Sequence, residues 1–508
     1  MDTMLFSAPK GEATLVVLEQ GKVRTVSLKG KDRWTIGRAA GGVSPDIPLQ
    51  SSIASRRHGE LLCHDGRWYY KEGGSVNGTF HNGRFMGPET GGKTRMTVLQ
   101  NGDTLRIDYK DLTRPDERGV WMLFTTDLAA DTWRYRSLQG QTICRIGREA
   151  DLCQLVFPLP YISACHAEIR SKGGRFELID CSSTAGTWVN GLRVISSVQL
   201  KEKDHISICD RHMIFTGQGL LYTARAEQRS QKANVGGQAG GRRRADRSVI
   251  LEANIQSKTV KDQSGHGQKE LIRNVKLSVG SGQLVALLGG SGAGKTTVMN
   301  ALNGMDQTGV KGQVLYRGEN LYHNFERLKY LIGSVPQENV VHDMLTVEQE
   351  LRDAALLRLP KDLGAKGIQR QVEDTLSALN LTQKRKTQIR KLSGGERKRV
   401  NIGVELVADR ELLCLDEPDA GLDPLAKKDL FTTLRNLAHD RGKSILVIIH
   451  DVSEIDLFDQ IIMMAKVDGV GRLAFEGSPA DARKYFGVED LSEAYVVISK
   501  DPKRYVRG

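Results

Sequence analysis

The stretch that most constrains the fold lies past the middle of the chain. The apolar run 284–288 leads directly into Gly289-Gly290-Ser291-Gly292-Ala293-Gly294-Lys295-Thr296, and a helix-like segment, 296–303, follows. The pattern is G-x-x-x-x-G-K-[ST] between a strand and a helix. Its glycines let successive backbone N–H groups wrap a phosphate, and the helix N-terminus adds favourable partial charge. Lys295 reaches the β- and γ-phosphates of a nucleotide, and the Thr296 hydroxyl is a ligand for Mg²⁺. Such a loop needs a buried strand beneath it and a helix beyond it. With further helical segments at 347–358, 366–379 and 424–440 and strand-like runs at 412–415 and 445–449, the C-terminal half reads as an α/β domain with a largely parallel sheet.

Two more patterns carry chemistry. Leu412-Leu413-Cys414-Leu415-Asp416-Glu417 is an apolar strand ending in adjacent carboxylates. Asp416 holds Mg²⁺ through water, and Glu417 orients and polarises the attacking water in phosphoryl transfer. Leu392-Ser393-Gly394-Gly395-Glu396-Arg397 precedes a predicted helix, 398–407. A serine and two glycines at a helix start form another anion site. One domain already has its phosphate loop, so a second such site suggests two copies sharing nucleotide.

Together these motifs resemble the nucleotide-binding domain of ATP-binding cassette (ABC) proteins, across residues 250–487. Gln337, after Val335-Pro336, matches the Q-loop. Ala420-Gly421-Leu422-Asp423 matches the D-loop, and His450 matches the switch histidine. The resemblance implies an ATPase in which two domains sandwich two ATP molecules with Mg²⁺. Gly289, Gly290, Ser291, Gly292, Ala293, Gly294, Lys295, Thr296 and Thr297 are then the nucleotide contacts. Thr296, Gln337 and Asp416 serve the metal, and Glu417, Gln337 and His450 serve catalysis. Ser393 and Gly395 reach the γ-phosphate of the opposite copy. The family usually stacks adenine on an aromatic residue before the phosphate loop, yet no Phe, Tyr or Trp occurs between Thr223 and Leu315. An aliphatic group such as Val260 is the candidate rest for the base.

Thr296-Thr297-Val298-Met299-Asn300-Ala301-Leu302-Asn303-Gly304, Pro336-Gln337-Glu338-Asn339 and Leu345-Thr346-Val347 are similar to the exporter branch called the White or G subfamily. So is the tail, with Phe486-Gly487-Val488 and Asp501-Pro502. This implies a transmembrane permease partner, either a separate chain or the continuation of a longer one. It also implies a second nucleotide-binding domain in a homodimer or heterodimer, and a cytoplasmic place at the inner face of the cell membrane.

The N-terminal half contains a repeat. Gly37-Arg38 is matched by Gly147-Arg148, Ser55-x-x-His58 by Ser163-x-x-His166, Gly78-Thr79-Phe80 by Gly186-Thr187-Trp188, and Asn82-Gly83 by Asn190-Gly191. The offsets, 110 and then 108 residues, mean two whole domains rather than a solenoid. Short alternating runs separated by Gly, Asn and Asp turns read as two β-sandwiches, with the matched residues on their loops. The pattern resembles the forkhead-associated (FHA) domain, which implies phosphothreonine recognition. Arg38, Ser55, Arg56 and Asn77 are the implied contacts, with Arg38 and Arg56 as cations for phosphate. His58 reads as a steadying residue. In the second unit Ala164 replaces Arg56 and Ala185 replaces Asn77, so its site is degenerate.

The resulting organisation is a first sandwich at 1–125, a second at 126–221, a basic linker at 222–247 and the ATPase domain at 248–508. The linker holds seven Arg/Lys against two acids, a net +5 of the chain's +12. It reads as a solvated tether, with acidic lipid headgroups as the alternative contact. The N-terminus lacks a signal peptide pattern, no apolar run reaches membrane-span length, and seven scattered cysteines without CxxC spacing read as reduced thiols. The leading expectation is the ATPase subunit of an ABC exporter, regulated by a phosphothreonine-containing protein. The alternative is a cytosolic signalling adaptor using ATP-driven dimerisation without transport. A single cassette without a coiled-coil insertion speaks against a nucleic-acid partner.

Overall fold

The computed structural model describes residues 13–224 and 249–506, except 41, 65, 83, 88–94, 101, 110–118, 127–131, 262–267 and 339. Gly83, Asn339 and the linker from residue 225 onward therefore lie outside the described residues. The chain divides into two compact units.

The first unit is a pair of β-sandwiches. In the first sandwich, a six-stranded sheet runs Lys22–Ser27, Thr14–Glu19, Val120–Thr125, Thr104–Ile107, Thr79–His81, Arg84–Met86. It faces a five-stranded sheet in the order Ile47–Leu49, Arg33–Arg38, Gly59–His64, Arg67–Glu72, Met96–Leu99. The second sandwich repeats the five-stranded sheet but builds the other one differently. Thr132–Ser137 takes the place of Lys22–Ser27, and the chain's later strand Gly219–Ala224 takes the place of Thr14–Glu19. One strand is supplied from the opposite end of the repeat. That strand continues three residues into the stretch read above as linker.

Thr14–Glu19 and Val120–Thr125 are buried along their whole length. Side chains alternate across a strand, and here both faces are covered. Leu15, Val17, Met122 and Phe124 fill the first sandwich. Val16, Leu18, Trp121 and Leu123 point the other way and pack with Trp133, Ile214 and Leu221 of the second sandwich. At the rim of this contact Glu202 accepts from Arg106 Nε (2.9 Å) and Trp121 Nε1 (3.4 Å). The two sandwiches therefore share a dry seam, which explains why these strands read as continuous apolar runs rather than as alternating ones.

The second unit is built on a ten-stranded sheet. Gln460–Val467, Leu284–Gly289, Ser444–Ile448, Leu412–Asp416 and Ile332–Val335 run parallel in that order. The other side is mainly antiparallel, made from the long hairpin Val249–Lys261 and Gln268–Gly280 with Val310–Tyr316 and Glu319–Asn320, and Val470–Gly477 joins the two sides, parallel to Gln268–Gly280 and antiparallel to Gln460–Val467. The expectation of a largely parallel sheet thus holds for one half. The hairpin strands bury one face each, so their patterning marks an antiparallel wing and not a βαβ unit. Its longest helices are Val347–Arg358, Gly364–Ala378, Gly394–Leu406 and Pro424–Arg441. Their starts are written in the sequence. Thr346 with Gln349 and Ser393 with Glu396 form capping boxes, while Asp423 caps a helix that opens on Pro424. Among the described residues no helix is long and apolar enough to cross a membrane.

Trp133 is 5% exposed in the shared seam. Trp133→Ala is expected to cost the first unit about 3–5 kcal/mol. All five tryptophans lie between residues 34 and 188, so tryptophan fluorescence in urea reports this unit alone. A loss below about 1 kcal/mol would show that the seam contributes little.

Candidate functional site

Parallel register assembles the C-terminal site. Leu287 pairs with Ile448, and Ile448 pairs with Asp416, so the phosphate loop, the carboxylates and His450 emerge at one sheet edge. Gly294 caps helix Lys295–Leu302 at φ 87°. A Cβ there would lie 2.7 Å from Ile272 Cγ2, so both conformation and space call for glycine. Lys295 Nζ donates to the carbonyls of Gly289 (2.9 Å) and Gly290 (3.4 Å). Burial lowers the lysine's pKa, and Glu417 and Asp416 oppose that shift.

Thr296 Oγ1 donates to Asp416 Oδ2 at 3.4 Å. The other carboxylate oxygen, Oδ1, is buried with no hydrogen-bond partner among the described residues. Burial, and then the neighbouring Glu417, push the Asp416 carboxyl above its ordinary range. A hydroxyl, an orphaned carboxylate oxygen and excess negative charge form a hard oxygen set that fits Mg²⁺.

Glu417 is held from two sides. Gln337 Nε2 donates to Oε2 at 2.9 Å, and His450 Nε2 lies 2.7 Å from Oε1. A carboxylate only accepts, so His450 carries its hydrogen on Nε2. The backbone of Glu417 sits at φ 46°, a left-handed position that costs a non-glycine residue roughly 1–2 kcal/mol. Its N–H donates to Ile448 O at 3.1 Å. Backbone strain of this kind clusters where a side chain must be aimed.

Ser393 and Gly395 are not part of that constellation. They line an open cleft of about 490 Å³ with Gly421, Leu422, Asp423 and Leu425. The Ser393 side chain accepts from Glu396 N (3.3 Å), and Ser393 N donates back to Glu396 Oε2 (2.9 Å). Two motifs found separately in the sequence thus form one face. Leu425, beside them, is 78% exposed.

Sequence reasoning missed the residues that tie these parts together. Lys398 Nζ donates to the Gln337 carbonyl at 2.9 Å, and Asn401 Oδ1 accepts from Val340 N at 3.1 Å. Lys427 Nζ pairs with Asp451 at 2.8 Å and reaches Asp419 at 4.0 Å. A lysine or asparagine on a helix gives no local signal for partners tens of residues away. For the adenine the structure adds only that Val260, at the end of the long hairpin's first strand, is 37% exposed.

The first sandwich gathers its four candidate residues on neighbouring loops. Arg38 ends strand Arg33–Arg38, and its Nε donates to Ala54 O at 3.2 Å. A Cβ on Gly37 would lie 2.1 Å from the carbonyl oxygen of Arg56, so glycine lets that loop press against the strand. Ser55 Oγ accepts from Val76 N (3.0 Å), Asn77 Nδ2 donates to Ile53 O (2.8 Å), and Arg56 is exposed. His58 is fully buried. Its Nδ1 accepts from Ser55 N (3.0 Å), which leaves Nε2 to donate to Gly78 O (3.2 Å). Burial lowers its pKa, as a neutral bridging ring requires.

The second sandwich keeps the scaffold of these loops. His166 Nε2 meets Gly186 O at 3.1 Å. Asp180 holds Ser183 and Thr187 (both 2.6 Å), as Glu72 holds Ser75 and Thr79 in the first. Asn190 binds Asp204 (2.8 Å) as Asn82 binds Asp103 (2.7 Å). The alanine at 185, in the clamp position, is buried.

Comparison with known proteins agrees with this division. Residues 272–420 match the ABC transporter family model, and residues 34–108 and 144–209 match the FHA domain. The ABC transporter ATP-binding/permease protein Rv1747 of Mycobacterium tuberculosis is 34% identical over 358 residues, covering 70% of this chain. ABC transporter G family member 21 of Arabidopsis thaliana is 35% identical over 263 residues, covering 48% of this chain. The chain spans 38% of the length of each. Among solved structures, the dimeric bacterial ABC transporter cassette MJ0796 is 22% identical with a TM-score of 0.40, over 45% of this chain and 98% of that one. The chain thus carries two segments that match the forkhead-associated domain and, after them, one that matches the ABC transporter family.

Proposed function

We propose that the chain is the ATP-hydrolysing part of an exporter-type ABC transporter, working at the inner face of the cell membrane through a transmembrane permease. The observation that carries the reading is Glu417, held between Gln337 and His450 beside the orphaned oxygen of Asp416. Lys295 and the amides of 289–297 hold the phosphates. Thr296, Asp416 and the amide oxygen of Gln337 would hold Mg²⁺, which when bound would supply positive charge to offset that of the phosphates. Glu417 accepts a hydrogen bond from the attacking water and takes its proton. Gln337 and His450 keep that carboxylate aimed. Ser393 and Gly395, on their own cleft, serve the nucleotide of a second cassette.

Glu417→Gln is expected to keep ATP binding, to slow hydrolysis by ~10²–10⁴, and to collect an ATP-held dimer on size exclusion. Turnover close to that of the unaltered chain would remove Glu417 from the role of base.

Ser393→Arg is expected to abolish hydrolysis while an isolated monomer still binds ATP. Weaker binding by the monomer would overturn the two-copy arrangement.

The first FHA domain reads a phosphothreonine on a partner protein or elsewhere on this assembly, and so regulates the cassette. Arg38 and Arg56 supply charge, the Ser55 hydroxyl a further bond, and Asn77 a hold on the peptide backbone. Residues 224–247 contain no threonine, so the ligand is not this linker. Arg38→Ala should weaken capture of phosphothreonine peptides by about 1.5–3 kcal/mol, and Arg148→Ala by less. Equal losses in a peptide-array titration would contradict the assignment of the reader to the first domain.

A further inference from the structure

Two thiols of the second FHA domain lie almost in contact. Cys165 Sγ and Cys181 Sγ are 3.7 Å apart. Both are half-buried rather than sealed in the core. Cys165 follows Ser163-Ala164 on one loop, and Cys181 directly follows strand Arg175–Asp180, where the chain turns toward Ala185. The backbone holds them side by side. His166 N donates to Ile146 O (2.8 Å), and Cys181 N donates to His166 O (3.0 Å). Shifting by the repeat's 108 residues places Arg57 and Gly73 at these positions in the first domain. The thiol pair therefore belongs only to the domain that has lost its second cation and its backbone clamp. Among the described residues no group of three or more His, Cys, Asp or Glu could hold a metal.

From this geometry we infer that Cys165 and Cys181 form a dithiol modification site, which takes a low-molecular-weight disulfide and closes into an intramolecular disulfide joining the two ligand-side loops. The sulfurs have to move from 3.7 Å to the roughly 2 Å of a disulfide bond, a change within reach of side-chain rotation. The thiolate of Cys165 attacks one sulfur of the external disulfide, whose S–S bond breaks and releases one thiolate. The Cys181 thiol then loses its proton to solvent and attacks the Cys165 sulfur, releasing the second thiolate. Two protein thiols are oxidised and one external disulfide is reduced to two thiols. Burial, with Cys165 beside it, pushes the Cys181 thiol up to about 12. Cys153 is buried and also hydrogen-bonds Cys165, and its thiol is pushed up to about 12, first by burial and then by Cys165; it is the competing partner for Cys165.

The test uses the full chain and oxidised glutathione as the probe, with non-reducing peptide mapping. The expected product in the unaltered chain is a Cys165–Cys181 cross-link, formed at least tenfold faster than any other protein disulfide and reversed by reductant. Cys181→Ser should arrest the reaction as a glutathione adduct on Cys165. Cys165→Ser should leave Cys181 unmodified, and Cys153→Ser should leave the cross-link rate unchanged. Oxidation should also raise the urea midpoint of the tryptophan transition. A lasting adduct on Cys165 with Cys181 free in the unaltered chain, or a cross-link to Cys153 instead, overturns the inference. The peptide map of the unaltered chain decides the matter even if a variant fails to fold. Because neither thiol belongs to the phosphothreonine site of the first domain, failure here leaves that reading untouched.

Discussion

The ATPase site depends on the direction of its strands. Five neighbouring strands run parallel, so their C-terminal ends meet at one edge. Four of them supply the site, each with the residue or loop at its end. Leu284–Gly289 delivers the glycine loop, Leu412–Asp416 the carboxylates, Ser444–Ile448 the histidine, and Ile332–Val335 the glutamine. Hydrogen-bond register holds them to sub-ångström tolerance, which loops alone do not provide. The interior strands are buried along their whole length and, apart from Ser444, apolar, because both faces are covered. Their rigidity is what allows Glu417 to be kept in a left-handed backbone position.

Much of this was legible in the residues because phosphate chemistry permits few alternatives. A loop that must present N–H groups needs glycines, a capped helix start needs serine or aspartate, and a metal beside a strand needs a carboxylate at its end. The helix from Val347 to Arg358 matches the sequence reading throughout, since Thr346 and Gln349 mark its start. Other features left no local mark. The hairpin of Val249–Lys261 and Gln268–Gly280 alternates only on one face and carries no motif. The clamps at Lys398, Asn401 and Lys427 pair residues far apart in the chain, and single lysines or asparagines on helices carry no pattern. Gly219–Ala224 fills a place that the repeat assigns to an N-terminal strand, so a search for matching residues cannot find it.

The tandem FHA domains show how a binding scaffold and its binding chemistry separate. The buried hydrogen-bond clusters around Glu72 and Asp180 are equivalent, so the loops of both domains are shaped alike. Among the candidate ligand residues, Ala164 and Ala185 replace Arg56 and Asn77, a change that leaves the hydrogen bonds holding the loops in place. The dry seam between the sandwiches further joins them into one body. A domain without those side chains still serves as the surface against which its neighbour is built.

The tie between Lys398 and the Gln337 carbonyl has a mechanical meaning. Helix Gly394–Leu406 has 13 residues, so it is a rod of about 20 Å at 1.5 Å per residue. Its N-cap Ser393 is exposed, its first-turn Gly395 is buried beside the cleft, and its side is pinned to Gln337 and Val340. If a bound nucleotide displaced Gln337, that tie would pull on the rod and move its tip. Under the proposed function, an event in the chain's own nucleotide pocket would then change the angle of the face it offers to another pocket. Two such cassettes facing each other would turn as meshed wheels, each setting the position of the other.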